Sequence, residues 1–260
     1  MEFLAVVMLA VFTAGYLVLA GGDVGVGMAL PWLGRGQDER RLVIASFAPF
    51  FLGNEVWLVA AVGIVAGAFP GLEHQLLEDL SPVVVVLVVG WVVRDMGLWL
   101  RGRVDGAGWR GGCDGAVVAG SWALALGWAS LLGSLVVSGA GGGDGMNAGS
   151  VLGLPLAALF VWHGVGFARW RLPEAMAEAM AEAMAARLRG VPARYGVSAV
   201  VLAAAPVAAG AGLPWSGAAA EGSGLALTAV AAVVLLPLLA VVQGLVWWTF
   251  RGRVQAPSYL

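Results

Sequence analysis

Asp23 and Glu55 each interrupt a long apolar run, and the pair Arg94-Asp95 interrupts a third. An ionisable side chain inside a membrane-length segment is costly, so it is kept for function or held in a pair. Carboxylates in that setting can relay protons or balance a buried cation. Arg94 can pair with Asp23 or Glu55 inside the bundle, or stretch its head to the interface. Asn54, next to Glu55, adds an amide able to bond between the acids, and Trp57 follows as a supporting residue. His163, in Val161-Trp162-His163-Gly164, lies in a fifth apolar run, whereas His74 falls in a polar connection. A six-coordinate haem asks for two axial ligands from His, Met or similar, so no haem is expected on this chain alone. His163 reads first as a hydrogen-bonding core residue, with a contact to a quinone or a haem edge as the other reading. No Cys/His metal spacing, phosphate-binding glycine loop, nucleophile elbow or His-Glu-x-x-His is present, which leaves a stand-alone hydrolase or ATPase without support and gives no metal. The lone Cys113 cannot form an internal disulfide and is expected in a loop beside Arg110 and Asp114.

The elements that must position these residues follow from composition. Sixty per cent of the 260 residues are apolar and 12% charged, with a mean hydropathy of +0.90. A soluble domain carries roughly 25% charged residues, so this is an integral membrane protein in a lipid bilayer. Seven windows approach the ~20 residues a bilayer requires: 3–31, 42–69, 80–100, 115–138, 150–168, 195–213 and 224–249. Barrel strands would alternate, and runs such as Val83 to Val89 do not, so the fold class is an all-α bundle of about seven transmembrane helices. The N-terminus lacks the basic region of a secretory signal and is read as a permanent first span.

Arginine supplies all fourteen basic residues, and thirteen of them fall in alternate connections or the tail. The intervening connections hold Glu73, Glu78, Asp79, Asp144 and Glu221 and no arginine. By the positive-inside rule the arginine face is cytoplasmic, with the N-terminus outside and the C-terminus inside. The net charge of −2 averages over these two faces and gives no ground for a nucleic-acid partner.

Small residues at Gly21/Gly25 and Gly63/Gly67 are expected to bring the first two helices close. Pro49, Pro155, Pro206 and Pro237 are expected to kink or break their helices. Segment 139–149 reads as an external loop, and 174–185, EAMAEAMAEAMA, as a solvated helical extension with an acidic stripe. The chain divides into a four-helix half, 1–138, and a shorter half of about three helices, 139–260.

Gly22-Asp23-Val24-Gly25-Val26-Gly27-Met28, Gly34-Arg35, Glu39-Arg40-Arg41, Ala48-Pro49, Gly53-Asn54-Glu55-Val56-Trp57-Leu58 and Ala68-Phe69-Pro70 resemble, in order and spacing, the start of subunit II of the cytochrome bd quinol oxidases. Arg94, Arg101, Trp109-Arg110 and Phe250-Arg251-Gly252-Arg253-Val254 look like the same family, densely over residues 15–110 and thinly after. The resemblance implies a bacterial plasma-membrane heterodimer. Subunit I carries two b-type haems and one d-type haem, oxidises quinol and reduces dioxygen, while subunit II binds no catalytic haem. By matching position, Asp23, Asn54 and Glu55 would line a polar interior facing subunit I and help conduct protons from the cytoplasm, supported by Trp57 and Arg94.

Two departures bear on that expectation. Where the family reads Trp-Asp-Gly-Asn this chain has Phe51-Leu52-Gly53-Asn54, so Leu52 replaces an acid and Glu55 stands one turn away to take its place. Seven windows are also fewer than the family's about nine spans, which implies loss of a helix pair. A non-catalytic scaffold paralogue and a small multispan transporter are the alternatives, the latter requiring inverted repeats that the halves do not show.

Overall fold

The apolar windows meet as helices in the computed structural model, which describes residues 1–138, 149, 151, 153–179 and 195–256. We number them α1 (Glu2–Leu33), α2 (Gln37–Phe47), α3 (Phe51–Ala68), α4 (Pro70–Asp79), α5 (Ser81–Leu100), α6 (Ala107–Ser138), α7 (Leu154–Arg171), α8 (Tyr195–Gly210), α9 (Trp215–Ala218) and α10 (Ser223–Thr249). Among the described residues there is no strand. Among the described residues five helices, α1, α3, α5, α6 and α10, are long and apolar enough to cross a membrane. The chain is a multi-pass, all-helical membrane protein. The windows at 150–168 and 195–213 become α7, which ends in Arg169 and Arg171, and α8, which has 16 residues.

Two boundaries and the effect of three prolines differ from the sequence expectation. The window 42–69 is two helices, because Pro49 has no N–H to continue the ladder and the chain turns at Ala48–Phe50, where Phe50 N donates to Phe47 O at 2.9 Å. α6 begins well before residue 115, so Cys113 and Asp114 are buried on a helix instead of lying in a loop. Pro206 and Pro237 lie inside α8 and α10, whereas Pro155 occupies the first turn of α7, where a missing donor costs nothing. Residues 174–179 of the Glu-Ala-Met repeat are helical; the rest of that repeat, and segment 139–148, lie outside the described residues.

α1 is the hub, and its stretch from Ala20 to Leu30 is buried throughout. The cause is glycine. A Cβ on Gly25 would stand 1.9 Å from Phe160 O, and one on Gly164 would stand 2.2 Å from the Gly25 carbonyl carbon, so α1 and α7 cross backbone to backbone. Gly27 makes room for Ser121 of α6, and Gly15 for the Trp57 ring of α3. The close approach of Gly21/Gly25 is therefore to α7 and α8, not to the second window as expected. Gly67 meets Thr228 of α10, while Gly63 has open space around it.

α5 shows how a membrane helix turns its polar stripe inward. Its buried residues are Val83, Gly90, Arg94, Gly97 and Leu98, and Gly90, Arg94 and Gly97 share one face at helical spacing. The valines between them face outward. Gly90 and Gly97 let the α6 backbone in, and Gly120 of α6 leaves the room that the Arg94 side chain needs.

The arginine-bearing ends gather at one end of the bundle. Asp114 accepts from Arg101 at 2.6 Å and from Arg40 at 3.4 Å, and Arg101 also donates to Gln37 at 3.0 Å. Buried Arg171 donates to Ser46 O at 3.2 Å and to Phe250 O and Gly252 O, and Val254 N returns to Arg171 O at 2.8 Å. At the other end Ala220 N donates to Ala68 O at 2.8 Å and Phe69 packs on Trp215.

Gly164→Ala is expected to destabilise the bundle by on the order of 1–3 kcal/mol, since every close neighbour of the added methyl is backbone. Thermal unfolding of the detergent-solubilised protein reads this directly. Gly63→Ala, with open space, is expected to leave the melting temperature within a degree or so of the parent.

Candidate functional site

Arg94 is the centre of the site and is only 2% exposed. Its Nη2 donates to Asp23 Oδ1 at 2.7 Å, while Nη1 donates to Asp95 Oδ1 at 3.1 Å and Glu55 Oε1 at 3.4 Å. The guanidinium carbon lies 5.9 Å from the Phe47 ring centroid and 5.8 Å from that of Phe51, within cation–π range. Arg94 thus pairs inside the bundle, and the snorkelling alternative does not apply.

Asn54 carries the network onward. Its Nδ2 donates to Asp23 Oδ2 at 2.8 Å and to Leu19 O at 3.1 Å, and its Oδ1 accepts from Gln243 Nε2 at 2.8 Å. Four helices therefore contribute: α1 through Asp23, α3 through Asn54 and Glu55, α5 through Arg94 and Asp95, and α10 through Gln243. Asp23 and Asn54 are sealed, whereas the side chains of Glu55 and Asp95 stay 11% and 18% exposed and form the rim. Three carboxylates surround one guanidinium, an arrangement in which the acids compete for one cation and protons can settle the imbalance.

Sequence reasoning reached Asp23, Asn54, Glu55 and Arg94, and the fold brings these four together. It missed Gln243 as a partner and gave Asp95 no role of its own. The signal for Asp95 is its place beside Arg94; that for Gln243 is an amide in an otherwise apolar run. Trp57 is buried against Phe12, with ring centroids 5.6 Å apart, and among the described residues its indole nitrogen has no hydrogen-bond partner, so it supports the packing of α3 on α1 outside the polar network. Leu52 is 50% exposed and lies one turn before Glu55 on α3.

His163 stands apart. Its Nδ1 is hydrogen-bonded to Ser198 Oγ at 2.7 Å and its Nε2 to Val18 O at 2.9 Å, and its ring stacks on Tyr195 at 4.2 Å. Both ring nitrogens are engaged, so His163 does not fit an axial haem ligand; it joins α7, α8 and α1 as a core residue. Exposed His74 lies 3.5 Å from Glu78. Among the described residues no cluster of three or more His, Cys, Asp or Glu side chains has the arrangement to hold a metal ion.

A family model described as cytochrome bd terminal oxidase subunit II matches residues 1–251. The chain is 35% identical over 115 residues to the cytochrome bd ubiquinol oxidase subunit 2 of Bacillus subtilis, covering 44% of this chain and 34% of that one. It is 30% identical over 122 residues to the cytochrome bd-I ubiquinol oxidase subunit 2 of Escherichia coli strain K12, covering 47% and 32%. Against the probable cytochrome oxidase subunit 2 of Haemophilus influenzae it is 30% identical over 136 residues, covering 52% and 36%. The chain spans about a third of the length of the curated relatives it matches. With a match that runs almost end to end, and with the motif residues Asp23, Asn54, Glu55 and Arg94 drawn into one buried network, this chain belongs to the cytochrome bd terminal oxidase subunit II family.

Proposed function

We propose that the chain is the non-haem subunit of a membrane quinol:oxygen oxidoreductase and packs on a haem-bearing subunit I. Its buried acids, in this reading, pass protons from the cytoplasmic face. The observation that carries the reading is the convergence of the family-motif residues on Arg94, among the described residues the one arginine outside the arginine-rich ends. When bound in the partner subunit, b- and d-type haems supply the electron transfer and oxygen chemistry; this chain's residues hold and move protons.

The acids divide the work by their surroundings. Asp23, sealed between Arg94 at 2.7 Å and Asn54 at 2.8 Å, fixes the guanidinium. Glu55 and Asp95 share the other guanidinium nitrogen and keep partial exposure, so they are the acids able to exchange a proton across the rim. Glu55 takes the role that the family gives to the acid replaced here by Leu52. That replacement also favours a second reading, a scaffold that assembles the partner without conducting protons. In either case the chain sits in a bacterial plasma membrane with seven spans, α7 and α8 included, the N-terminus outside and the arginine end in the cytoplasm.

Glu55→Gln retains the Arg94–Asp23 pair, so assembly is expected to be unchanged while quinol-dependent oxygen uptake by membranes falls roughly tenfold or more. Uptake at the parental rate in Glu55→Gln and in Asp95→Asn would eliminate the proton role and favour the scaffold. Arg94→Gln leaves three carboxylates without a cation, a cost of about 3–5 kcal/mol. An immunoblot of membranes is expected to show the chain depleted, with partial recovery on adding Asp23→Asn. For topology, Glu73→Cys is expected to react with an impermeant thiol reagent in intact cells and Arg103→Cys only after the membrane is opened; the reverse pattern would invert the orientation.

A further inference from the structure

Gln243 is the one amide in α10, whose other polar side chains are Ser223 and Thr249 near its ends and Thr228 against Gly67. It is 7% exposed. An amide at membrane depth is unfavourable unless its donors and acceptor are used, so its presence needs a partner. That partner is Asn54, whose Oδ1 accepts from Gln243 Nε2 at 2.8 Å. Gly53, beside Asn54, keeps the approach clear, since a Cβ there would stand 3.3 Å from Gln243 Oε1.

This bond adds to the two acceptors, Asp23 and Leu19, in setting which way Asn54 faces. With Oδ1 committed to Gln243, the Asn54 Nδ2 group is directed to Asp23 Oδ2 at 2.8 Å and Leu19 O at 3.1 Å. Turned by half a rotation, the amide would set its oxygen against a carboxylate and a carbonyl, and its NH2 group against the Gln243 donor. The bonds to Asp23 and Leu19 would be lost, and the bond to Gln243 with them while Gln243 presents its N–H. The donors therefore run in one direction, from Gln243 to Asn54 to Asp23, where Arg94 meets the other carboxylate oxygen at 2.7 Å.

We propose that Gln243 is a positioning residue: its N–H fixes the Asn54 amide in the orientation that donates to Asp23, and so holds Asp23 between Asn54 and Arg94. Gln243 does this from the last helix, 189 residues away from Asn54 in sequence. The inference rests on the proton role proposed for the cluster and adds a residue that sets it.

Gln243→Met tests it, because methionine matches glutamine in length and lacks the donor. The variant is studied in the complex isolated from membranes, alone and combined with Asn54→Leu. Turnover per intact complex is expected to fall about 3- to 10-fold, the range that one lost hydrogen bond gives. The acid limb of its pH profile is expected to move toward alkaline pH by about one unit. Gln243→His, which keeps an N–H donor, is expected to recover most of the loss. Thermal unfolding supplies an arm that needs no turnover. Gln243→Met is expected to lower the melting temperature by about 2–4 °C in the parental background and by nothing further beside Asn54→Leu.

Parental turnover and pH profile in Gln243→Met, or an equal thermal shift in both backgrounds, would overturn the inference. Should Asn54→Leu not assemble, the comparison of Gln243→Met with Gln243→His decides alone, equal melting temperatures for the two counting against it. A complex that shows the thermal coupling but contains no haem-bearing partner contradicts the oxidase reading and leaves the positioning role standing.

Discussion

The Arg94–Asp23 ion pair is the constraint that the rest of the bundle serves. Two charges removed from water repay their desolvation only when geometry is close and the remaining donors and acceptors are satisfied. Asp23 meets both conditions, with one carboxylate oxygen on Arg94 at 2.7 Å and the other on Asn54 at 2.8 Å. For the pair to form, α1, α3 and α5 must reach the same depth, and α6 must leave room for the Arg94 stem. Gly120 supplies that room, and Gly90 and Gly97 bring α5 and α6 together on either side of it. The buried rings of Phe47 and Phe51 flank the guanidinium within cation–π range.

Much of this was legible in the chain. Apolar length located the five helices long and apolar enough to cross a membrane among the described residues, and also α7 and α8. The charges at 23, 55 and 94 stood out because each interrupts a long apolar run. Whether Arg94 turns inward was open on residue type, but Gly90, Arg94 and Gly97 share a helical face, and that face is the one α5 buries. The break at Ala48–Phe50 was less legible, because Pro49 permits either a kink or a full stop and packing decides between them. Gly21 and Gly25 announced a close approach without naming its partner, which is α7 and α8. Gln243 lay beyond local pattern altogether, since its meaning depends on α10 crossing α3 at the level of Asn54.

Family membership and the buried network support the same reading from independent directions. The motifs concentrate in the first three long helices, yet the last helix completes the hydrogen bonding through Gln243, and the tail is pinned to α7 through Arg171. Residues after 138 therefore contribute to the site and its support. Leu52 is exposed, and Glu55, one turn further along α3, reaches Arg94. In the proposed function this moves proton exchange to Glu55 and Asp95 at the rim, with Asp23 as the fixed counter-charge.

The central claim is that this chain works as part of a haem-bearing oxidase. It is tested most directly by capturing the tagged chain from native membranes and recording the reduced-minus-oxidised absorption spectrum of the captured material. The account predicts bands of b- and d-type haem together with a large membrane-protein partner at about one copy per copy of this chain. A stable, colourless preparation with no haem-bearing partner would contradict it.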